Sequence, residues 1–213
     1  MALNKLKFNS LNVTPSASKA LKFNSSANGF ETGDAGGSMK FISKQTASSS
    51  STINFTSGID STYKEYIFVF NNIHASANGY FRVNFRDGSS AYDASKTTTM
   101  IYTMHKEDDG LDNITGLAGN SLGNSTAVQR LTDNEMGTNN EDALCGYLHL
   151  FNPSSTTFIK HFFGRIQWKS GTPSSHDVYV SGYCNVTAAI DGAQFDMSSG
   201  DIDSGTITLY GII

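Results

Sequence analysis

Gly119-Asn120-Ser121-Leu122-Gly123 matches the G-x-S-x-G pattern that presents a nucleophilic serine. That pattern works where a strand enters a sharp turn and a helix leaves it, exposing the hydroxyl beside backbone N–H donors. Here it lies in a polar loop with neither element, in a chain rich enough in glycine and serine to produce the match by chance. Glu107, Asp108, Asp109 and Asp112 could offer carboxylates to calcium, yet the D-x-D-x-D-G spacing and the later Glu of an EF-hand are absent. Solvated loop charge is the expected role, with Asp108, Asp109 and Asp112 as candidate residues of an exposed interaction loop. Asp201 and Asp203 read the same way. His74, His105, His149, His161 and His176 form none of the close pairs typical of zinc sites, although His149 and His161 sit in strand patterns and could meet across a sheet. Tyr92, Tyr102 and Tyr179 offer faces for sugar stacking, against an expectation of ordinary cross-strand packing. With no phosphate loop or dinucleotide fingerprint either, the sequence predicts no enzyme, no metal and no cofactor.

The elements that would carry these residues are β-strands. The 213 residues include 38% hydrophobic and only 16% charged types, with 20 glycines and 3 prolines. Soluble domains average about 25% charged. Ser, Thr, Asn and Gly stand in for the missing charge, which excludes a collagen, a coiled coil and a charge-rich disordered chain. Ala, Leu, Glu and Lys do not dominate, so a helical bundle is not expected. The net charge of −4 gives no general footprint for nucleic acid. Charge is uneven, however: residues 1–50 hold six lysines against Glu31 and Asp34, while the remainder holds nine basic and seventeen acidic groups. The longest unbroken apolar run, 66–70, is far short of a membrane span, and MALNKLKFNSLN lacks the apolar core of a signal peptide. Cys145 and Cys184 fall in strand-like segments and are expected as small core residues.

Residues 1–51 read as an extended basic arm. Leu6-Lys7-Phe8-Asn9-Ser10 returns as Leu21-Lys22-Phe23-Asn24-Ser25, which suits two short strands with Leu and Phe on one side and Lys on the other. From residue 52 the pattern is β throughout. Strands are expected over 52–57, 64–74, 80–86, 97–104, 144–152, 157–168, 177–186, 193–198 and 206–213. Phe81, Val83 and Phe85 share one face, as do Phe158, Phe162, Ile166 and Trp168. Asn78-Gly79 and Asp87-Gly88 supply turns. Residues 105–142 interrupt the pattern as a glycine-rich, acidic excursion, expected as an outward-facing tip, with 127–136 forming either a short helix or loop. Without helical crossovers, about nine antiparallel strands predict an all-β fold: a jelly-roll-like antiparallel β-sandwich body (52–213) with an extended N-terminal arm.

Three stretches carry a family resemblance: SGIDSTYKEYIFVFNNIH (57–74), GYLHLFNPSSTTFIKHF (146–162) and GYCNVTAAIDGAQFDMSSGDIDSGTITLYGI (182–212). LKFNSSANGF followed by MKFISKQTASSSSTINFTSGID adds the lead-in. In this order they resemble small virion structural proteins of marine tailed bacteriophages. The resemblance implies a virion component, tail-fibre-like or tail-associated, assembled in the host cytoplasm, and a homo-oligomer for which a trimer is favoured. It transfers no catalytic residue. The expected partners are other virion proteins and, at the tip, a host surface glycan, with no nucleic acid and no membrane. A capsid head decoration or cement protein and a host glycan-binding adhesin module are the alternatives. In either virion reading the arm docks by adding strands to a neighbour, with Leu6, Phe8, Leu21 and Phe23 as anchors.

Overall fold

Alternating side chains build strands along most of the chain, in a computed structural model that describes residues 13, 14, 16, 17, 19–34 and 37–213. The chain divides into two units, Met1–Ser38 and Met39–Ile213.

In the first unit β1 (Lys19–Phe23) pairs antiparallel with β2 (Phe30–Asp34). Asn24 closes the turn between them. Its backbone N–H donates to Gly29 O at 2.9 Å, and its side chain exchanges hydrogen bonds with Asn28. Ala27, at φ 54, takes the left-handed conformation the turn needs.

The second unit holds β3 (Met39–Thr46), β4 (Thr52–Phe55), β5 (Glu65–Ala75), β6 (Phe81–Arg86), β7 (Lys96–Lys106), β8 (Asp112–Gly116), β9 (Gln129–Arg130), β10 (Ala143–Phe151), β11 (Lys160–Ser170), β12 (Ser174–Cys184), β13 (Gly192–Met197) and β14 (Ile202–Ile212). They form an eight-stranded sheet, β3-β14-β5-β10-β11-β12-β7-β8, and a four-stranded sheet, β4-β13-β6-β9. Neighbouring strands in both sheets are antiparallel, and the two inner faces pack as a β-sandwich. Among the described residues no helix is long and apolar enough to cross a membrane.

An aromatic cluster joins the sheets. Phe195 of β13 lies 5.2 to 6.2 Å from the rings of Phe55, Phe68, Phe70 and Phe81, with Phe68 and Phe70 coming from the larger sheet. Each fully buried ring of this kind contributes roughly 1.5–3 kcal/mol over an exposed one. Phe81, Val83 and Phe85 share the inward face as expected, and so do Phe162, Ile166 and Trp168. Phe158 does not: it precedes β11, outside the alternation, and is 67% exposed. Asn84 is buried despite its polar parity, with its amide donating to Thr126 O.

A bulge lets β5 keep its apolar residues inside. Phe70 and Ile73 are both buried although they differ in parity, because Asn72 (φ 49) takes up one extra residue. Gly205 of β14 (φ 107) packs against this point; a Cβ there would run into the Asn72 carbonyl.

Two expected boundaries are corrected. The arm was placed at 1–51, but the division falls after Ser38. Met39–Thr46 is β3, hydrogen-bonded along β14 at the edge of the larger sheet, and Ala47 is buried. An edge strand buries only part of one face, so its apolar alternation is weak in the sequence. The excursion at 105–142 is not one outward tip. Lys106 ends β7, β8 turns back to pair with it, and β9 extends the smaller sheet. Gln129, Leu131, Thr132, Met136 and Asp142 are buried. Hydrogen-bonded polar side chains do much of this burying, which hides the segment from a reading based on apolar pattern.

Candidate functional site

The G-x-S-x-G serine is engaged with the backbone. Ser121 follows a single 3-10 turn, Ala118–Asn120, and its hydroxyl is committed to the backbone, donating to Leu117 O (2.9 Å) and accepting from the Met100 N–H (3.2 Å). The acidic residues sit on the β7–β8 hairpin. Asp108 accepts from the Gly110 N–H at 2.9 Å and so forms the turn, with Asp109 at φ 55. Asp109 and Asp112 have side chains 89% and 83% exposed and flank His105. Among the described residues, no group of three or more His, Cys, Asp or Glu is placed to hold a metal ion.

The structure brings together a constellation that sequence reading missed. His176 of β12 places Nδ1 2.8 Å from Asp133 Oδ2 and Nε2 3.0 Å from Ser174 Oγ. Trp168 Nε1–H donates to the other Asp133 oxygen at 2.9 Å, and the His176 ring lies against Trp168 and Tyr102. Ser174, His176 and Trp168 share a face because they stand at alternate positions of β12 and in register on β11. The connectivity is that of a nucleophile, a base and an orienting carboxylate. Its setting is not: Ser174 is 2% and His176 3% exposed, and the Ser174 hydroxyl also lies 2.9 Å from Thr172 O. That oxygen is therefore shielded from solvent. The group acts as a polar staple that fastens the 131–136 segment over the end of the sheet. No sequence motif marks it, since Asp133 lies in a loop 43 residues from His176.

At the other end of β12, Lys160, Cys184 and Lys96 stand side by side on β11, β12 and β7, all inward and fully buried. Lys96 Nζ donates to Ala127 O and Lys160 Nζ to Val186 O, each at 2.8 Å. Burial pulls the Lys96 ammonium down to about 8, lowers Lys160 in the same direction, and pushes the Cys184 thiol up to about 12. Cys145, expected in the core, is exposed and exchanges hydrogen bonds with Asn72.

Exposed apolar groups cluster on each unit. On the hairpin of the first unit, Leu21, Phe23 and Phe30 are exposed, with Phe23 at 65%; the Phe23 and Phe30 rings stack at 4.9 Å. The adjacent Lys22–Glu31 pair, 3.2 Å apart, spans β1 and β2. Leu6 and Phe8, the other expected anchors, lie outside the described residues. On the body, the outward face of the larger sheet carries Tyr147, His149, Phe151, Phe163, Tyr179 and Ile101. His149 stacks on Phe163 at 4.9 Å and is paired with Glu65. His149 and His161 do not meet: across β10 and β11, His149 faces Phe163, and His161 lies edge-on to Tyr183. Of the tyrosines considered for stacking, Tyr179 is exposed on this face, Tyr102 lies against His176, and Tyr92 has a buried hydroxyl without a hydrogen-bond partner. Compared with family models, curated proteins and solved structures, the chain finds no match in any of the three.

Proposed function

We propose that this chain is a structural subunit of a bacteriophage virion, tail-fibre-like or tail-associated, that docks through its N-terminal unit. The observation that carries the reading is a two-stranded hairpin, in a unit of its own, with Leu21, Phe23 and Phe30 exposed. Two strands alone are marginal in water, and exposed rings on them gain most by covering with a partner. The open edges of such a hairpin can accept a further strand, and a second copy of the Leu-Lys-Phe-Asn-Ser sequence stands at 6–10. The resemblance of 57–74, 146–162 and 182–212 to virion structural proteins points the same way. Partners are then other virion proteins and further copies of this chain, with a trimer as the expected assembly. The chain acts as a structural part rather than as an enzyme.

Deleting residues 1–38 tests this. The sandwich should still unfold cooperatively, because β3 and the core are retained, while incorporation into particles is lost. Normal incorporation of the truncated chain would refute the docking role. Copy number per particle separates tail from head: a small multiple of three supports the tail, and hundreds would place the chain on the capsid as a decoration protein.

A further inference from the structure

The pattern Ser-Ala-Asn-Gly-aromatic stands twice in the chain, as Ser26-Ala27-Asn28-Gly29-Phe30 and as Ser76-Ala77-Asn78-Gly79-Tyr80. Glycine after asparagine leaves the intervening peptide nitrogen unshielded by a side chain, so that nitrogen can close on the asparagine side-chain carbon. Local sequence makes the two sites equivalent, and the fold separates them. Asn28 and Asn78 are both exposed, but Gly79 is buried and tied at both its peptide groups. Its N–H donates to Met136 O at 3.3 Å, and its carbonyl accepts from the Met136 N–H at 2.9 Å. The next N–H, of Tyr80, donates to Ser198 Oγ at 2.8 Å. The Ser199 backbone stands 3.0 Å from where a Cβ on Gly79 would lie. Gly29 lies instead in the turn between β1 and β2. Its carbonyl accepts from the Asn24 N–H, but among the described residues its own N–H has no acceptor. Asn24 Nδ2 donates at 2.9 Å to Asn28 Oδ1, the oxygen that gains negative charge when the side-chain carbon is attacked.

We infer that Asn28 is a site of self-modification: the Gly29 nitrogen cyclises onto it in the folded protein, while Asn78 stays intact. The Gly29 N–H gives its proton to water, and the nitrogen bonds to Asn28 Cγ. The Cγ–Nδ2 bond breaks, and Nδ2 takes a proton from water and leaves as ammonia. The succinimide ring so formed is opened by water at either carbonyl. One opening gives aspartate at position 28; the other gives its isomer, whose main chain runs through the side-chain carboxyl carbon. Overall one water enters and one ammonia leaves, with nothing oxidised or reduced. Ring closure must swing the Gly29 or Gly79 nitrogen toward the asparagine side chain. At 78–79 that rotation breaks the Gly79–Met136 pair of the body. At 28–29 it disturbs only a two-stranded hairpin, in which local opening is easy. Each event adds one negative charge to the lysine-bearing N-terminal unit, and the isomer also lengthens the main chain of a turn that Asn24 and Gly29 close. The inference goes beyond the virion reading and does not depend on it.

The test ages the full chain at neutral and at mildly alkaline pH and locates converted asparagines by peptide mass spectrometry. A second sample is held unfolded in guanidinium chloride. Unfolded, the two sites should convert at similar rates, because their local sequences match. Folded, Asn28 should convert at least about tenfold faster than Asn78. Conversion at 28 should quicken with pH, since the attacking nitrogen must lose its proton. A Cβ on Gly29 would meet only the movable Asn24 side chain, so Gly29→Ala leaves the turn standing. It should slow conversion at 28 by about tenfold or more and leave 78 as in the parent. The inference is overturned if Asn28 stays intact in the folded chain, if Asn78 keeps pace with it there, or if Gly29→Ala converts at the parental rate. These readouts need no particle, so they stand apart from the incorporation assay that tests the docking role.

Discussion

His176 Nδ1 and Asp133 Oδ2 lie 2.8 Å apart in the interior, joining a strand of the larger sheet to the segment that crosses its end. Asp133 also receives the Trp168 indole N–H. Removing this carboxylate leaves two buried donors unpaired. Asp133→Ala should cost about 3–5 kcal/mol, read as a lower urea midpoint. Ser174→Ala, which removes only the peripheral hydroxyl, should cost about 1 kcal/mol. A parental midpoint for Asp133→Ala would refute the staple.

Lys96 and Cys184 give the protein an alkaline signature. Folded Lys96 titrates near 8, against 10.5 for an ordinary lysine. Between those values the unfolded chain holds a proton that the folded chain has released, so stability rises with pH. Folded Cys184 titrates near 12 against an ordinary 9, so between those values stability falls with pH. Lys96 therefore acts unopposed by Cys184 from pH 8 to 9, with a slope approaching 1.4 kcal/mol per pH unit, roughly. Lys96→Met should flatten the rise in that window, and Cys184→Ala should let the rise continue beyond pH 9, where in the parent the two slopes oppose each other. Urea titrations across pH 7.5 to about 10 measure both slopes. An unchanged slope in Lys96→Met would show that Lys96 does not titrate there.

Phe195 of the smaller sheet packs on Phe68 and Phe70 of the larger. Phe195→Ala should lower stability by about 3–5 kcal/mol. Phe158→Ala, at an exposed site, should stay within about 0.5 kcal/mol of the parent. Chemical unfolding of the pair compares them directly, and equal effects would contradict the core assignment.

Gly205 meets the bulge at Asn72 in a backbone conformation that side chains rarely adopt. Gly205→Ala should destabilise by about 1–3 kcal/mol and speed hydrogen exchange at the β5–β14 pair. Parental exchange rates there would rule out this strain.

Leu21 and Phe23 belong to the N-terminal unit, for which docking is proposed. Leu21→Ser with Phe23→Ser should leave the melting temperature of the sandwich unchanged while abolishing particle incorporation. A large drop in melting temperature would mean that these rings stabilise the fold rather than dock it.

Alternation is a local property, and it is what the sequence carries most clearly. The runs at 64–74, 80–86 and 144–152 announce β5, β6 and β10, and Phe81, Val83 and Phe85 already declare their face. All nine expected strands exist, and together they define an all-β sandwich. The elements without clear alternation are β3, an edge strand that buries little, β8, whose five residues are all at least partly exposed, and β9, whose two residues reach the interior through Gln129. The boundary at Ser38 followed from the first of these and the closed form of 105–142 from the other two.

Sequence by itself determined the fold class and the inward faces of the strongly alternating strands. Tertiary structure alone decided that Asp133 reaches His176, that Lys160, Cys184 and Lys96 share a buried row, and that Gly79 is tied to Met136 while Gly29 is not. The reason is register. Period-2 patterning says which way a side chain points, but neighbours across strands depend on pairing offsets and bulges such as that at Asn72. A shift of one residue would turn every such neighbour to the other face.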